Sequence, residues 1–404
     1  MGRKVRVERP VYYMKKIFAF LKKEIMLTVA VLAAVVSLFI TPPTKAILKE
    51  IDWHTLGTLF MMLCVLEGFK QENIFEPIIN FSKKFKSMTT LSLFLIFGVF
   101  FTSMFVTNDV SLIIFVPLTI LLFRKGDKEK YILPVISMEN IAAIRGSLLM
   151  PFGSPQNLFL YGQSGTSVWN FMLHMSPLCI GSGILLVIFV LVLYRKNLKE
   201  EFNTKLKDED LAKLEKTDER KDSALRIKIR KTAYLLLFAM IIFTIVSRTK
   251  YWPVAVAIVI VVIAAVNIKL FVQVDYVLIF TFLCFFVFSS SIASNPGISG
   301  VLQKAVAGNE YWWAIGLSQL ISNVPASIVL YPFTDNFAGL IYGADTAGLC
   351  SLIGSLASVI NYRIYVREYP DRGFKFIKVF TLVSWAFFAI VVIPGFFLCR
   401  WKFF

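Results

Sequence analysis

Histidine and cysteine are both scarce in this sequence of 404 residues. The two histidines, His54 and His174, are too few for a histidine-rich metal site. The five cysteines are odd in number and show no paired spacing, so a disulfide framework is excluded and buried free thiols are the interpretation. The sequence has no nucleotide-binding motif, so nothing in it indicates direct use of ATP, and no organic cofactor is expected.

Charged residues make up only 17% of the chain, whereas hydrophobic residues make up 57%. The mean hydropathy is +0.70. A water-soluble protein of this size and composition would expose too much apolar surface. Many apolar runs reach the roughly 17 to 25 residues that a helix needs to cross a bilayer. The sequence therefore predicts an all-α polytopic membrane protein.

Lysine and arginine outnumber aspartate and glutamate by 43 to 26, which gives a net charge of +17. The basic residues cluster at 1–23, 83–86, 124–130 and 195–231, beside apolar segments. This distribution is the one that the positive-inside rule produces, and it argues against a nucleic-acid partner. It predicts a multi-pass protein of the cytoplasmic membrane, with its N-terminus in the cytoplasm and its C-terminus outside.

The order of charged and apolar segments divides the chain into two similar halves. We predict a basic cytoplasmic arm (1–23), a first transmembrane repeat (24–194), a charged cytoplasmic linker (195–231), a second repeat preceded by an extra span (232–399) and a short tail (400–404). Each repeat contains a re-entrant helical hairpin, at about 89–123 and 311–333, and a discontinuous helix, at about 131–163 and 341–364. Because the extra span changes the starting side, the two repeats have inverted topology.

Both predicted hairpins carry the pattern Ser-x-x-x-[Ser/Thr]-Asn at an apolar centre. The residues are Ser103, Thr107 and Asn108 in the first half, and Ser318, Ser322 and Asn323 in the second. A turn within the membrane must satisfy its backbone groups, and it survives only where it is buried in protein or lines water. Hydroxyl, amide and freed carbonyl oxygens at such a turn can replace the water shell of a small hard cation.

The second paired element follows each hairpin and predicts an interrupted helix. In PFGSPQNLF the candidate residues are Gly153, Ser154, Pro155 and Asn157, and in LIGSLASVI they are Gly354, Ser355, Ala357 and Ser358. Glycine permits unusual φ angles and proline removes a donor, so the first segment predicts a strong break. A break leaves helix ends of opposite partial charge, which attract anions and cations. The second segment lacks proline, so its chemistry predicts a weaker break.

Four charged residues lie in apolar surroundings. Asp109 directly follows the first hairpin motif, and an ionisable group at membrane depth is usually functional. It either binds or exchanges a cation or proton, or it caps the returning helix as an N-cap residue. Arg145 could balance the negative charge of a substrate, but a structural or interfacial role is preferred, since long basic side chains snorkel. Glu67 and Asp345 either join a proton path or lie near the membrane surface.

An intramembrane enzyme is the alternative outside transport. The GQSG stretch at 162–165 is similar to the Gly-x-Ser-Gly of rhomboid proteases. A serine nucleophile needs a base within reach. His174 lies ten residues after Ser164, and the sequence has no histidine in a later span, where that family carries its base. This requirement argues against a protease.

Together these motifs resemble the ion-transporter superfamily over nearly the whole chain. The likeness rests on TND and its following apolar run, PFGSPQNL, SNVPA and GLCSLIGSLASVINYR. The superfamily includes the arsenite-pump and sodium–proton antiporter branch (ArsB/NhaD), the citrate transporters (CitMHS) and the divalent-anion/sodium symporters of the SLC13 type. The details are nearest to the ArsB/CitMHS-like permeases.

The resemblance implies a secondary transporter with ion sites where the hairpin tips meet the helix breaks. One Na⁺ site would use Ser103, Thr107, Asn108 and Gly153, and the other Ser318, Ser322, Asn323 and Ala357. A small carboxylate or inorganic oxyanion would bind between the tips and cross by alternating access, coupled to Na⁺ or H⁺, in a homodimer. Arsenite or antimonite efflux and Na⁺/H⁺ exchange remain alternatives, because Thr-Asn-Asp and Ser-Asn-Val replace the symporters' Ser-Asn-Thr.

Overall fold

The computed structural model describes residues 24–42, 51–74, 81–202 and 224–401. The predicted arm at 1–23, most of the predicted linker and residues 402–404 of the predicted tail lie outside the described residues. Within the described ranges the regular structure is helical, apart from one isolated bridge between Ser87 and Glu201. The prediction of an all-α fold is confirmed.

The helices of the first half precede the linker. They are α1 (Ile25–Ile40), α2 (Trp53–Gln71), α3 (Met88–Val106), α4 (Asn108–Lys125), α5 (Ile132–Ser147), α6 (Pro155–Ser164) and α7 (Val168–Leu193).

The second half begins with α8 and repeats much of this order. Its helices are α8 (Ala224–Ser247), α9 (Trp252–Asn267), α10 (Tyr276–Ala293), α11 (Pro296–Val306), α12 (Glu310–Ile321), α13 (Asn323–Leu330), α14 (Phe337–Ala347), α15 (Leu356–Glu368) and α16 (Gly373–Leu398).

Six helices of the described part are long and apolar enough to cross a membrane, namely α3, α7, α8, α9, α10 and α16. Their outer faces expose large apolar side chains, such as Ile184 on α7, Phe243 on α8 and Leu382 on α16. Exposed apolar surface on this scale needs lipid or another protein to cover it. The chain is therefore a polytopic membrane protein, as predicted.

Pairs of helices from opposite halves form the outer part of the molecule. α1 packs along α10, where the Ser291 hydroxyl donates to the Ser37 carbonyl oxygen at 2.8 Å. α8 and α9 pack against α2 at two glycines. A Cβ on Gly68 would lie 2.9 Å from the Tyr234 ring, and one on Gly57 would lie 2.7 Å from Trp252. The small residues allow close approach of the helices.

The two hairpins and the two broken helices form the inner part. α5 packs against both arms of the first hairpin, α3 and α4, and α14 packs against α12 and α13 of the second. The second part of each broken helix packs against the hairpin of the other half of the chain: α6 packs against α13, and α15 packs against α4. Each hairpin therefore lies between a broken helix of its own half and one from the other half.

α8 begins earlier than the predicted extra span. It starts at Ala224 instead of 232, so the last part of the predicted linker is helical. Charged residues can continue a helix beyond the lipid, and an apolar window finds only the embedded part. In α8, Arg230 lies 2.6 Å from a Glu72 carboxylate oxygen, so this extension is held against the end of α2.

Candidate functional site

The first hairpin reverses direction at Thr107, between α3 and α4. A Cβ on Gly98 would lie 2.4 Å from the Phe115 ring. The Thr102 hydroxyl donates to Ser111 Oγ at 3.1 Å. Each contact joins residues that are nearly equally far from Thr107 along the chain, so the two helices run antiparallel with Thr107 at the tip.

The second hairpin has an equivalent break at Ser322. α12 ends at Ile321 and α13 begins at Asn323, and the two helices pack against each other. The Ser322 N–H still donates to the Ser318 carbonyl oxygen at 2.9 Å. The helical hydrogen bonds of α12 therefore continue up to the tip, and the helix breaks only at Ser322 itself.

The backbone is strained at both tips. Thr107 has φ 74° and ψ 155°, and Ser322 has φ 68° and ψ 159°. This region is used almost only by glycine, and another residue there costs about 1–3 kcal/mol. Such strain persists where the surrounding structure imposes it, and it concentrates at functional sites. Its occurrence at equivalent positions of two separate hairpins indicates that the tips have a functional role.

Each strained residue is followed by a buried asparagine. Asn108 and Asn323 expose only 4% and 2% of their surface. The Asn108 side-chain oxygen accepts a hydrogen bond from the Asp109 N–H at 2.9 Å. Asn323 Nδ2 is buried without a partner among the described residues. Because buried polar groups are normally paired, the tips retain capacity to bind a ligand.

The serine four residues before each tip is also fully buried. Ser103 Oγ donates to the Phe100 carbonyl oxygen at 2.9 Å, and Ser318 Oγ donates to the Ala314 carbonyl oxygen at 2.5 Å. Donation uses the hydroxyl proton and leaves the oxygen lone pairs. Both serines can therefore contribute an oxygen ligand to a cation.

Asp109 lies inside the first turn of α4, where Thr107 occupies the N-cap position. The interpretation of Asp109 as the N-cap is therefore wrong, because α4 begins one residue before it. Asp109 is half-buried, and its Oδ1 has no partner among the described residues. The exposed Asp275, at the start of α10, is a second carboxylate whose charge acts on Asp109. A carboxylate with an unpartnered oxygen beside the first tip favours a cation there.

Both helix breaks turn at a glycine that touches the end of the preceding half-helix. A Cβ on Gly153 would lie 2.3 Å from the Ser147 carbonyl oxygen, and one on Gly354 would lie 2.2 Å from the Ala347 carbonyl oxygen. Neither glycine has a positive φ. The expected reason for glycine, an unusual φ angle, is therefore wrong: these positions need glycine because backbone approaches too closely for a side chain.

The third residue of each second half-helix reaches back across the break. Asn157 Nδ2 donates to the Ser147 carbonyl oxygen at 3.1 Å, and Ser358 Oγ donates to the Gly348 carbonyl oxygen at 3.3 Å. Ser358 also accepts from Asn140 Nδ2 at 3.0 Å. Side chains thus replace the missing helical hydrogen bonds, and the second break forms without a proline.

The second half-helices begin without a side-chain cap. Ser154 and Ser355 have extended backbone at the N-cap positions of α6 and α15, and neither makes a capping bond. Pro155 is the first residue of α6, where its fixed φ is favourable. Ser154 Oγ is buried without a partner among the described residues. The uncapped N–H groups remain available to an anion.

Each hairpin contacts the break of its own half. A Cβ on Gly146 would lie 2.4 Å from Ser103 Oγ, one residue before the end of α5. In the second half, Gln319 Nε2 donates to the Ala347 carbonyl oxygen at 3.2 Å, and its Oε1 accepts from Ser351 Oγ at 2.7 Å. The structure thus brings the Ser103 and Ser318 turns beside the helix breaks.

Arg145 and Asp345 form a fully buried ion pair between α5 and α14. Arg145 also donates to Thr346 Oγ1 at 3.3 Å. The predicted snorkelling of Arg145 and the surface position considered for Asp345 are wrong, because both side chains lie in the inner part of the protein. Glu67, by contrast, is paired with the more exposed Lys70 at 3.3 Å.

Two polar residues of the inner part were missed from the sequence. Gln319 follows Ser318 within the second hairpin motif, and its position between two serines was the available signal. Glu139 is fully buried in α5 and accepts a hydrogen bond from the Thr119 hydroxyl of α4. Its signal was an acidic residue in an otherwise apolar segment, the same signal that selected Asp109.

The serine of the GQSG stretch shows no nucleophile–base pair. Ser164 Oγ donates to the Tyr161 carbonyl oxygen at 3.0 Å. His174 Nε2 instead lies 2.8 Å from the Trp401 carbonyl oxygen. This arrangement gives no support to a serine protease.

An all-helical membrane fold with two broken, oxygen-lined tips defines the chain as a membrane transporter rather than an enzyme, and comparisons with known proteins agree. The family model for CitMHS citrate transporters matches residues 17–339. The chain belongs to this family. The match ends within α14, so the second helix break lies beyond it.

Two relatives match over most of their length. The inner membrane protein YbiR of Escherichia coli is 29% identical over 335 residues, which cover 81% of this chain and 84% of the relative. The uncharacterized transporter MJ0456 of Methanocaldococcus jannaschii is 27% identical over 317 residues, which cover 78% and 81%. The chain is therefore similar over most of its length to a bacterial inner membrane protein and to an archaeal transporter.

Proposed function

We propose that this protein is a secondary active transporter that moves a small carboxylate or inorganic oxyanion across the cytoplasmic membrane, coupled to Na⁺ or H⁺. The observation that carries the proposal is the pair of strained hairpin tips, Thr107–Asn108 and Ser322–Asn323. Membership in a family described as citrate transporters favours a carboxylate among the anions.

The coupling cation would bind where each tip meets its helix break. In the first half the ligands are the oxygens of Ser103, Thr107 and Asn108 and the backbone around Gly153. In the second they are those of Ser318, Ser322 and Asn323 and the backbone between Gly354 and Ala357. Hydroxyl, amide and carbonyl oxygens are the ligands that hard cations prefer. Binding at the tips would order the space between them.

The anionic substrate would bind between the tips, at the start of α6 and α15. Both helix N-termini lack a side-chain cap. Free N–H groups and the positive end of the helix dipole attract an anion. Cation and anion would thus occupy neighbouring positions, and each would lower the cost of binding the other. This coupling is the basis of symport.

The distribution of basic loops supports an orientation. Lys128 pairs with Glu200 at 2.7 Å and Arg124 with Glu368 at 3.2 Å, so three loops converge at one end of the molecule. Positive residues favour the cytoplasmic side. With this end inside, α16 leads the C-terminus outside, the two halves have inverted topology, and alternating access would move the inner part relative to the outer part. A homodimer is expected from the resemblance.

Asp109 favours a second candidate, Na⁺/H⁺ exchange. An ionised carboxylate beside an anion is repulsive, whereas a carboxylate can hold Na⁺ and H⁺ in turn. The exchange candidate predicts proton movement driven by Na⁺ without any anion. Neutral arsenous acid as a substrate would be equally compatible with Asp109.

The proposal is tested by uptake into proteoliposomes. A panel of carboxylates, sulfate, arsenite and Na⁺ is measured with sodium and pH gradients set independently. We expect saturable anion uptake that depends on a cation gradient, and its loss in Asn108→Ala and in Asn323→Ala. Asn170→Ala is the matched control, because Asn170 is exposed on α7.

The outcomes separate the candidates. Exchange of Na⁺ for H⁺ without anion uptake would favour the second candidate, and arsenite movement would favour the metalloid alternative. Wild-type rates in both asparagine variants would show that the tips do not bind the coupling ion.

A further inference from the structure

Glu139 is a fully buried carboxyl group that lies on α5, away from both hairpin tips. Its Oε1 accepts a hydrogen bond from Thr119 of α4. Its Oε2 is buried without a partner among the described residues. One of the two oxygens of this carboxyl group therefore lacks a hydrogen-bond donor among the described residues.

Two buried amides lie near this part of α5, Asn140 on α5 itself and Asn361 on α15. Asn140 Nδ2 donates to Ser358 Oγ at 3.0 Å, and Asn361 Nδ2 donates to the Ile136 carbonyl oxygen at 2.7 Å. Ile136 and Glu139 are three residues apart and share a helix face, so Asn361 lies against the turn that carries Glu139. The Oδ1 atoms of both asparagines are buried without a partner in the described chain.

No charged side chain of the described residues bonds to Glu139. Among the helices packed against α5, α3 carries no titratable residue. The titratable and charged side chains of the others are Asp109, Arg124 and Lys125 on α4, His174 and Cys179 on α7, Tyr362, Arg363, Tyr365, Arg367 and Glu368 on α15, Lys375 and Lys378 on α16, and Glu129, Lys130 and Tyr131 on the 3-10 turn that precedes α5. On α5 itself, Arg145 is paired with Asp345. None of these described groups interacts electrostatically with Glu139.

The unpartnered atoms at this position are three oxygens, and each of them can only accept. An ionised carboxylate with one hydroxyl partner is too costly to bury. A proton on Oε2 removes the charge and adds one donor for a neighbouring amide oxygen. A cation is less suitable, because hard cations take about six oxygen ligands, and no group of three or more His, Cys, Asp or Glu in the described chain could hold a metal.

We propose that Glu139 is a proton-carrying site, in which the protonated Oε2–H donates to the side-chain oxygen of Asn140 or Asn361. During a cycle the O–H bond breaks and the proton passes to water on one side. A proton from water on the other side restores it, and no other bond changes. The proposal rests on the proposed transport function and names H⁺ as an ion carried in addition to any cation at the tips.

The first test observes the proton directly. The infrared carbonyl band of a buried protonated carboxyl group is followed against pH in purified protein. Glu139→Gln keeps the shape and supplies a permanent N–H donor, so we expect the variant to fold and to lose this band. Glu67→Gln, which changes a carboxyl paired with Lys70, should keep it. Identical bands in the wild type and Glu139→Gln at every pH would overturn the proposal.

A second variant keeps the test valid if Glu139→Gln does not fold. Thr119→Val removes the hydroxyl that donates to Glu139 while keeping the side chain's shape. Because a donor stabilises the ionised carboxylate, its loss should move the disappearance of the band to higher pH. An unshifted band would show that it belongs to another carboxyl group.

Transport measurements separate this site from the proposed function. We expect Glu139→Gln to retain exchange of internal for external substrate and to lose accumulation driven by a pH gradient, by tenfold or more. Absence of any anion transport by the wild type would refute the proposed function, whereas the infrared result would still decide the proton site. Wild-type accumulation in Glu139→Gln would overturn the proton site alone.

Discussion

Arg145 and Asp345 form a buried ion pair between positions 200 residues apart in the chain. Arg145 lies two residues before the end of α5, and Asp345 lies two residues before the end of α14. The two residues therefore hold the same place in the two halves. The pair joins the ends of α5 and α14, the first halves of the two broken helices.

This relationship predicts that arginine and aspartate can be swapped between positions 145 and 345. Arg145→Asp or Asp345→Arg alone buries two like charges and should cost about 3–5 kcal/mol, as loss of one partner of a buried pair does. The double variant Arg145→Asp/Asp345→Arg should recover most of that loss, because each charge again faces its opposite. Thermal unfolding of purified protein measures all three variants.

The control for this cycle is the Glu67–Lys70 pair, in which the Lys70 side chain is exposed. Glu67→Gln should change stability by less than about 1 kcal/mol. A double variant as unstable as the worse single reversal would contradict the equivalence of the two positions.

The packing of α3 on α5 depends on the absence of a side chain at Gly146. An added Cβ would lie 2.0 Å from the Phe100 carbonyl oxygen and 2.4 Å from Ser103 Oγ. Gly146→Ala must separate the helices, so we expect a loss of about 1–3 kcal/mol or more and a strong loss of transport, because Ser103 moves from the break. Gly181→Ala on α7 meets nothing within 4 Å and should be neutral or stabilising by up to about 1 kcal/mol.

Equal melting temperatures for the two alanine variants would show that α3 adapts without cost. The contrast is informative because both glycines are within helices, so the intrinsic helix preference is the same and only the neighbouring atoms differ.

The hairpin turns could be predicted because their causes are local. Ser-Asn and Thr-Asn pairs inside apolar runs, and a glycine two residues before a proline, disfavour continuous helix wherever they occur. The pairing of Arg145 with Asp345 could not be predicted, since it depends on how two distant helices cross. Glu139 was missed for the same reason: its partner Thr119 is on another helix, and burial depth is not visible in one sequence.

Backbone strain at the first tip can be measured by comparing two substitutions at Thr107. Thr107→Ala and Thr107→Gly both remove the hydroxyl, but only glycine adopts φ 74° without strain. Glycine should therefore be more stable than alanine by about 1–3 kcal/mol. Both variants should transport poorly if the hydroxyl binds the ion. Equal stability of the two variants would show that the tip relaxes when the side chain changes.

Asp109 should make sodium binding depend on pH. Na⁺ bound to the folded state raises the melting temperature by mass action. As the pH falls, protonation of Asp109 removes a negative charge beside the first tip, so the stabilisation by Na⁺ should weaken. Asp109→Asn lacks that charge at every pH and should show the weak, low-pH response throughout.

The size and origin of this effect can be checked with matched variants. A carboxylate within about 4 Å of a cation contributes on the order of 1–4 kcal/mol in partly solvated surroundings, so Na⁺ affinity should fall by tenfold or more in Asp109→Asn. Asp275→Asn, at an exposed position, should have a smaller effect in the same direction. Glu139→Gln should leave the sodium response unchanged, because Glu139 lies on α5 and its hydrogen-bond partner is Thr119 rather than a residue of the first tip. An identical sodium response in wild type and Asp109→Asn across the pH range would mean that this carboxyl group neither titrates nor faces the ion.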